Sequence, residues 1–201
     1  MPEISEENPV RELIERGDAS AAAGLIVESH GIEVFGYVTS LVKDEDMASD
    51  AFAIACENVL KGVLAFRGEG SVRTWFYTIA RHAAYRVVRS QRRRREERIS
   101  ELAPALQARV RTVTAAFQRT DVKDEIAKLR ESLSDEEREL LLLRVDRGLS
   151  FTEIASVLTG LNADQDEELK REAARCRKQF ERTKLRLREL ATEAGLLRSK
   201  D

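Results

Sequence analysis

The chain has 201 residues, 42% hydrophobic and 35% charged, with a formal net charge of −2, enough for one large domain or two small ones around a buried core. No stretch approaches the roughly 20 apolar residues of a membrane span, and the acidic N-terminus MPEISEENPVRELIERGD has no apolar signal core, so a cytoplasmic protein without membrane insertion is expected. Cys56 and Cys176 lie far apart and read as reduced thiols of such a protein.

The small net charge hides a strong polarity. Residues 1–58 carry 13 acidic and 3 basic side chains, residues 81–98 eight arginines against two glutamates, and residues 170–190 nine Lys or Arg against three Glu. Two basic segments in a slightly acidic chain point to two local contacts with a polyanion.

Ten glycines, three prolines and abundant Ala, Leu, Glu and Arg predict an all-α fold. In chain order, PVRELIERG (9–17) reads as a short helix with Pro9 near its start and Gly17 at its end. Ala19 to about Val42 reads as one amphipathic helix, or two broken at Gly31. Asp44 or Asp46 caps the next helix, from about Met47 to Phe66. FRGEGS (66–71) is the clearest loop, with Gly68 and Gly70 permitting positive φ.

From Ser71 the sequence SVRTWFYTIARHAAYRVVRSQRRRREER runs to residue 98 without proline or glycine. Val72, Phe76, Ile79, Ala83 and Val87 share one stripe, with Trp75 at its margin, and read as core. Beside Trp75 lies a second stripe, His82, Arg86, Arg89 and Arg93. A ring next to a cationic row suits single-stranded or distorted nucleic acid, because rings stack on bases while guanidiniums hold phosphates and read guanine edges. A solvated arginine face at a helix C-terminus accounts for the charge equally well.

Residues 99–124, interrupted by Pro104, read as a linker. Beyond it, Ser134 with Glu137 and Ser150 with Glu153 form two capping boxes, each ahead of an apolar run. They predict a helix at 135–147, a turn at Gly148, a short helix at 151–158, a turn at Thr159–Gly160 and a long basic helix from about 167 to 194. That outline is a helix-turn-helix. In the long helix Ala173, Cys176, Phe180, Leu187 and Leu190 form the expected core stripe; Arg175, Lys178, Gln179, Arg182 and Arg186 lie on or near the other side. Such a row suits a major groove, with Arg and Gln for base edges and Lys and Arg for phosphates; a coiled-coil-like helix of mixed charge is the plainer reading. Neither His30 nor His82 sits in a metal-binding spacing, and P-loop, GxGxxG and GxSxG motifs are absent, so neither an enzyme, a cofactor nor a metal is expected.

Two runs, AFRGEGSVRTWFYTIARHAAYRVVRSQRRRR (65–95) and LSDEERELLLLRVDRGLSFTEIASVL (133–158), together resemble bacterial RNA polymerase sigma factors of the extracytoplasmic-function class. The resemblance covers about residues 20–98 and 126–192. It implies two small helical domains, 1–98 and 125–201, joined by the linker 99–124. The first would bind core polymerase and help open the −10 element; the second would read the −35 element as duplex. By the same resemblance the loop Phe66–Ser71, with Arg67 and Gly68, receives a flipped base. His82 and Arg86 occupy base-reading positions, and Arg175, Lys178, Gln179 and Arg182 face the −35 groove. The helix bearing Asp46, Asp50 and Glu57 meets core polymerase, and an anti-sigma factor is a further partner for many members.

The sequence departs from the family pattern at three places. Ala53 and Ile54 stand where a Gln-Glu pair is usual. His82 stands where Asn is common, and Arg86 where Asn or Asp is frequent. Finally, TGLNADQDEELKREAA (159–174) enlarges the turn before the last helix, where Asp164 and Asp166 are candidate caps. The competing reading is a conventional helix-turn-helix regulator that acts on a palindromic duplex without polymerase.

Overall fold

The structure, a computed structural model, describes residues 7–100, 132–193 and 195, with side chains from 9 to 94 in the first segment. The expected linker 99–124 therefore lies outside the described residues except for its first two. Seven α-helices are described and no strand among them: α1 (Glu7–Glu15), α2 (Ala19–Val42), α3 (Glu45–Gly62), α4 (Val72–Ser100), α5 (Asp135–Leu141), α6 (Phe151–Thr159) and α7 (Asp166–Glu193).

The helix starts follow their caps. Asp18 accepts from the amide of Ala21 at 3.0 Å to begin α2, and Asp44, not Asp46, accepts from Met47 at 2.9 Å to begin α3. α2 runs unbroken through Gly31, which is buried, where a Cβ would lie 3.5 Å from the Phe52 ring. α3 ends earlier than predicted, at Gly62, and a 3-10 turn (Val63–Ala65) leads into the loop. By length and composition α2 reaches the range of a membrane-crossing helix, contrary to the sequence expectation. Its Ile26, Val34, Tyr37 and Val38 are fully buried in the core it forms with α3 and α4.

Both capping boxes form as predicted. The helix expected at 135–147 is α-helical only to Leu141; a π-helical turn (Leu142–Asp146) follows, and Gly148 ends it at φ 68°. Ser150 accepts from the Glu153 amide while Glu153 accepts from the Ser150 amide, at 3.2 and 2.7 Å. Ser150→Ala is expected to lose about 1 kcal/mol of stability, read as a lower urea midpoint at an unchanged slope.

The core of α4 is as read, with Val72, Phe76, Ala83 and Val87 buried, though Ile79 is half-buried; Tyr77, Ala80 and Ala84 join it. On α7, Cys176 is buried and Phe180 meets Phe151 edge-on at 5.7 Å, while Leu169 and Thr183 complete the inner side. The two halves also pack on each other. α6 lies against α4, and one apolar cluster runs from α1–α4 into Leu140, Leu143, Leu149 and Ile154.

Candidate nucleic-acid interface

At about 100° per residue, α4 presents three sides. One is the core. Trp75, His82, Arg86, Arg89 and Arg93 fall within an arc of about 60° on a second side, and all except Trp75 are exposed. Thr74, Arg81 and Tyr85 lie on the third, which faces the C-terminal helices.

Trp75 closes the row next to the loop. Its ring is 5.1 Å from Phe66, and Gly62 gives it room, since a Cβ there would stand 3.3 Å from the indole. Ser71 accepts from the Thr74 amide at 3.0 Å and so caps the first turn of α4. Gly68 has φ 73°, and a Cβ on it would come within 2.8 Å of the Arg11 guanidinium; both facts favour glycine. Gly70 does not adopt positive φ. The ring pair and loop thus lie at one end of the exposed arginine row, residue types suited to stacking a base and holding phosphates.

On α7, Arg175, Lys178, Arg182 and Arg186 are exposed and Gln179 is half-buried. Two of the row are engaged within the protein. Arg175 donates to Glu172 at 2.9 Å, while Arg186 donates to the Ser132 carbonyl at 3.1 Å and stands 3.7 Å from Glu137. Asp166 pairs with Lys170 at 2.6 Å in the first turn, and Asp164 lies in the 3-10 turn Ala163–Gln165 before it. On α3, Asp46, Asp50, Ala53 and Glu57 are exposed on one side with Leu60, and Glu57 pairs with Lys61 at 2.7 Å.

Sequence reasoning missed the polar cluster between the halves. The carboxylate of Glu139 on α5 is 1% exposed. It accepts from Tyr37 at 2.5 Å, from Arg81 Nε at 2.8 Å and from Tyr85 at 3.0 Å. Burial, then the adjacent Glu139 charge, pushes the Tyr37 hydroxyl well above its ordinary range, and the same causes raise Tyr85 to about 12. Both therefore remain donors at neutral pH. A signal was available: Glu139 precedes Leu140 and lies four residues before Leu143, on the apolar side of a short helix.

A second cluster centres on Glu33 of α2, paired bidentately with Arg73 at 2.7 and 2.8 Å and flanked by His30. Burial alone would raise the Glu33 carboxyl, but hydrogen bonds from Arg73 and His30 and their charges lower it to about 2. A depressed carboxylate contributes stability above its unfolded value and loses it as pH falls. The contribution should therefore be complete above about pH 4.5 and vanish towards pH 2. Glu33→Gln is expected to flatten this acid limb in chemical unfolding followed between pH 5 and 2.

Residues 26–94 match the family model for sigma-70 region 2. Over this region the chain is similar to the sigma-70 family. It is 32% identical over 114 residues to RNA polymerase sigma factor YlaC of Bacillus subtilis, covering 57% of this chain and 64% of that relative's length. It is 26% identical over 154 residues to RNA polymerase sigma-H factor of Pseudomonas aeruginosa, covering 73% and 79%. Its fold is similar to that of the sigma factor RpoE in complex with the anti-sigma factor NepR from Bartonella quintana, with a TM-score of 0.54 at 19% identity over 83% of this chain and 94% of that one. The region 2 match spans the loop Phe66–Ser71 and the α4 row as far as Arg94.

Proposed function

We propose that the protein is a non-catalytic specificity subunit that binds core RNA polymerase in the cytoplasm, directs it to particular promoters and helps open their −10 element. In this reading residues 1–98 serve core polymerase and the −10 element, 99–124 link, and 125–201 form the helix-turn-helix for the −35 element. The observation that carries it is the exposed row His82, Arg86, Arg89 and Arg93 running from the Phe66–Trp75 ring pair, all inside the region 2 match. The loop Phe66–Ser71 takes a base from the opened strand, the row reads and holds the adjoining DNA, and Arg175, Lys178, Gln179 and Arg182 read the upstream duplex.

Asp46, Asp50 and Glu57 offer core polymerase an acidic ridge, with Leu60 as its apolar part. Ala53 on that ridge leaves the contact to the carboxylates and Leu60. Two weak DNA contacts become one strong bivalent contact once polymerase fixes their spacing. An anti-sigma factor that covers both DNA surfaces is a further partner in this reading.

Co-purification with core RNA polymerase tests it directly. The wild-type chain should be retained, and Asp50→Arg should reduce retention at least fivefold through like-charge or lost ionic contact (about 1 kcal/mol,). Failure of the wild-type chain to co-purify would overturn the reading.

A further inference from the structure

The enlarged turn before α7 is exposed at Gly160 and from Ala163 to Asp166, but half-buried at Leu161 and Asn162. It sits on the loop that the proposed function reserves for a flipped base. The amide of Ala163 donates to the carbonyl of Glu69 at 3.2 Å, and Asn162 Nδ2 donates to the Glu69 carboxylate at 2.5 Å. Arg67 stands 3.6 Å from Glu69 and 4.0 Å from Asp164 of the same turn. Leu161 packs on the core cluster beside them.

We infer that the turn Gly160–Asp166 is an intramolecular cover for the loop Phe66–Ser71, and that the closed arrangement is a resting state which must open before a base can be captured. This rests on the promoter-reading function proposed above. At Glu69 the loop cannot admit a base while Ala163 and Asn162 hold its carbonyl and carboxylate, although Arg67, Gly68 and Gly70 stay exposed. The cations remain open in the closed form: Arg86, Arg89, Lys178 and Arg182 are all exposed. Closure therefore removes base capture while leaving contacts to phosphate.

Two further contacts seat the cover. A Cβ on Gly36 of α2 would lie 2.9 Å from Arg147 Nη2, so an alanine there must displace the end of that side chain. Arg73 reaches across to the Arg147 carbonyl at 2.8 Å. The arrangement is also built to release. Asn162 Oδ1 and Arg147 Nε are buried without a partner in the closed form, and an unpaired buried polar atom favours the state in which water reaches it. The Glu139 cluster exchanges ion-pair and hydrogen-bond energy against desolvation, a near balance that opening can tip.

A reversible lock tests the cover on the full chain. In a Cys56→Ala, Cys176→Ala background, Glu69→Cys with Asn162→Cys places two thiols across the contact, and the reduced form of the same protein is its control. Binding to a random single-stranded 12-mer DNA pool is read by Trp75 fluorescence, Trp75 being the one tryptophan of the chain. The oxidised form should bind roughly tenfold more weakly than the reduced one. Separately, Asn162→Ala and Gly36→Ala should each speed amide exchange across 66–71 and 160–165 and raise wild-type affinity for the pool several-fold.

Equal binding by oxidised and reduced forms, at any strength, overturns the cover; so does unchanged exchange in both single variants. Core-dependent transcription is measured on the same samples. If neither form supports it while locking still blocks the pool, the cover stands and the sigma-type function falls.

Discussion

Glu139→Ala is expected to cost about 3 kcal/mol of stability, because removing one partner leaves the Arg81 guanidinium and the buried Tyr37 hydroxyl facing an unpaired space. Glu139 has no alternative role as a surface charge, since its carboxylate is fully enclosed by donors from α2 and α4. Glu139→Gln keeps an acceptor for the tyrosines but loses the charge that Arg81 needs, and should fall between wild type and alanine. Chemical unfolding of the full chain measures both. A double-mutant cycle with Arg81→Met should return a coupling of more than about 1 kcal/mol. Additivity of the two substitutions would contradict the account of this cluster.

The second large effect concerns His82 and Arg86. Both are exposed on α4, so replacing each by asparagine should change stability little. On promoter DNA the same substitutions should change −10 preference, by about 1–3 kcal/mol of discrimination at the affected base pair. A selection of −10 sequences by polymerase carrying wild-type or variant protein reads this directly. Arg89→Ala, by contrast, should weaken binding across all sequences and reduce its salt dependence, as a phosphate contact does. Identical base preferences for wild type and both asparagine variants would remove His82 and Arg86 from base reading.

Most of the fold was legible because local signals agreed with one another. The capping serines Ser134 and Ser150 each precede an apolar run, and both boxes form. The 3.6-residue period of Val72, Phe76, Ala83 and Val87 placed the core of α4 and, by difference, its exposed row. The continuity of α2 was less legible, because Gly31 reads as a break in sequence; the close Phe52 ring that fills its position comes from α3, a tertiary contact. The π-helical turn after Leu141 was not legible either, since Leu142–Asp146 carries no residue that distinguishes it from an ordinary helix.

The largest omission was the packing of the two halves. A pair of helical units joined through residues 99–124 gives no local sign of whether they touch. The contacts are polar and distant in sequence: Glu139 with Tyr37, Arg147 with Arg73, Asn162 with Glu69. Each residue has an ordinary surface explanation when read alone. The enlarged turn was visible as an irregularity, but its use depends on where α6 places it. For the candidate interface the reverse holds. The row on α4 is set by helix geometry within one element, so sequence placed it well; Arg186, tied to Ser132 and Glu137, is the member of the α7 row whose surroundings sequence could not show.

The most direct test of the central claim is transcription of a fragmented genomic library of the source organism by purified core RNA polymerase, with and without the protein. The account predicts new, discrete start sites that share two upstream elements at a fixed spacing and that appear only when both proteins are present. Start sites unchanged by the protein, together with tight binding of the free chain to a palindromic duplex, would contradict it and leave a conventional helix-turn-helix regulator.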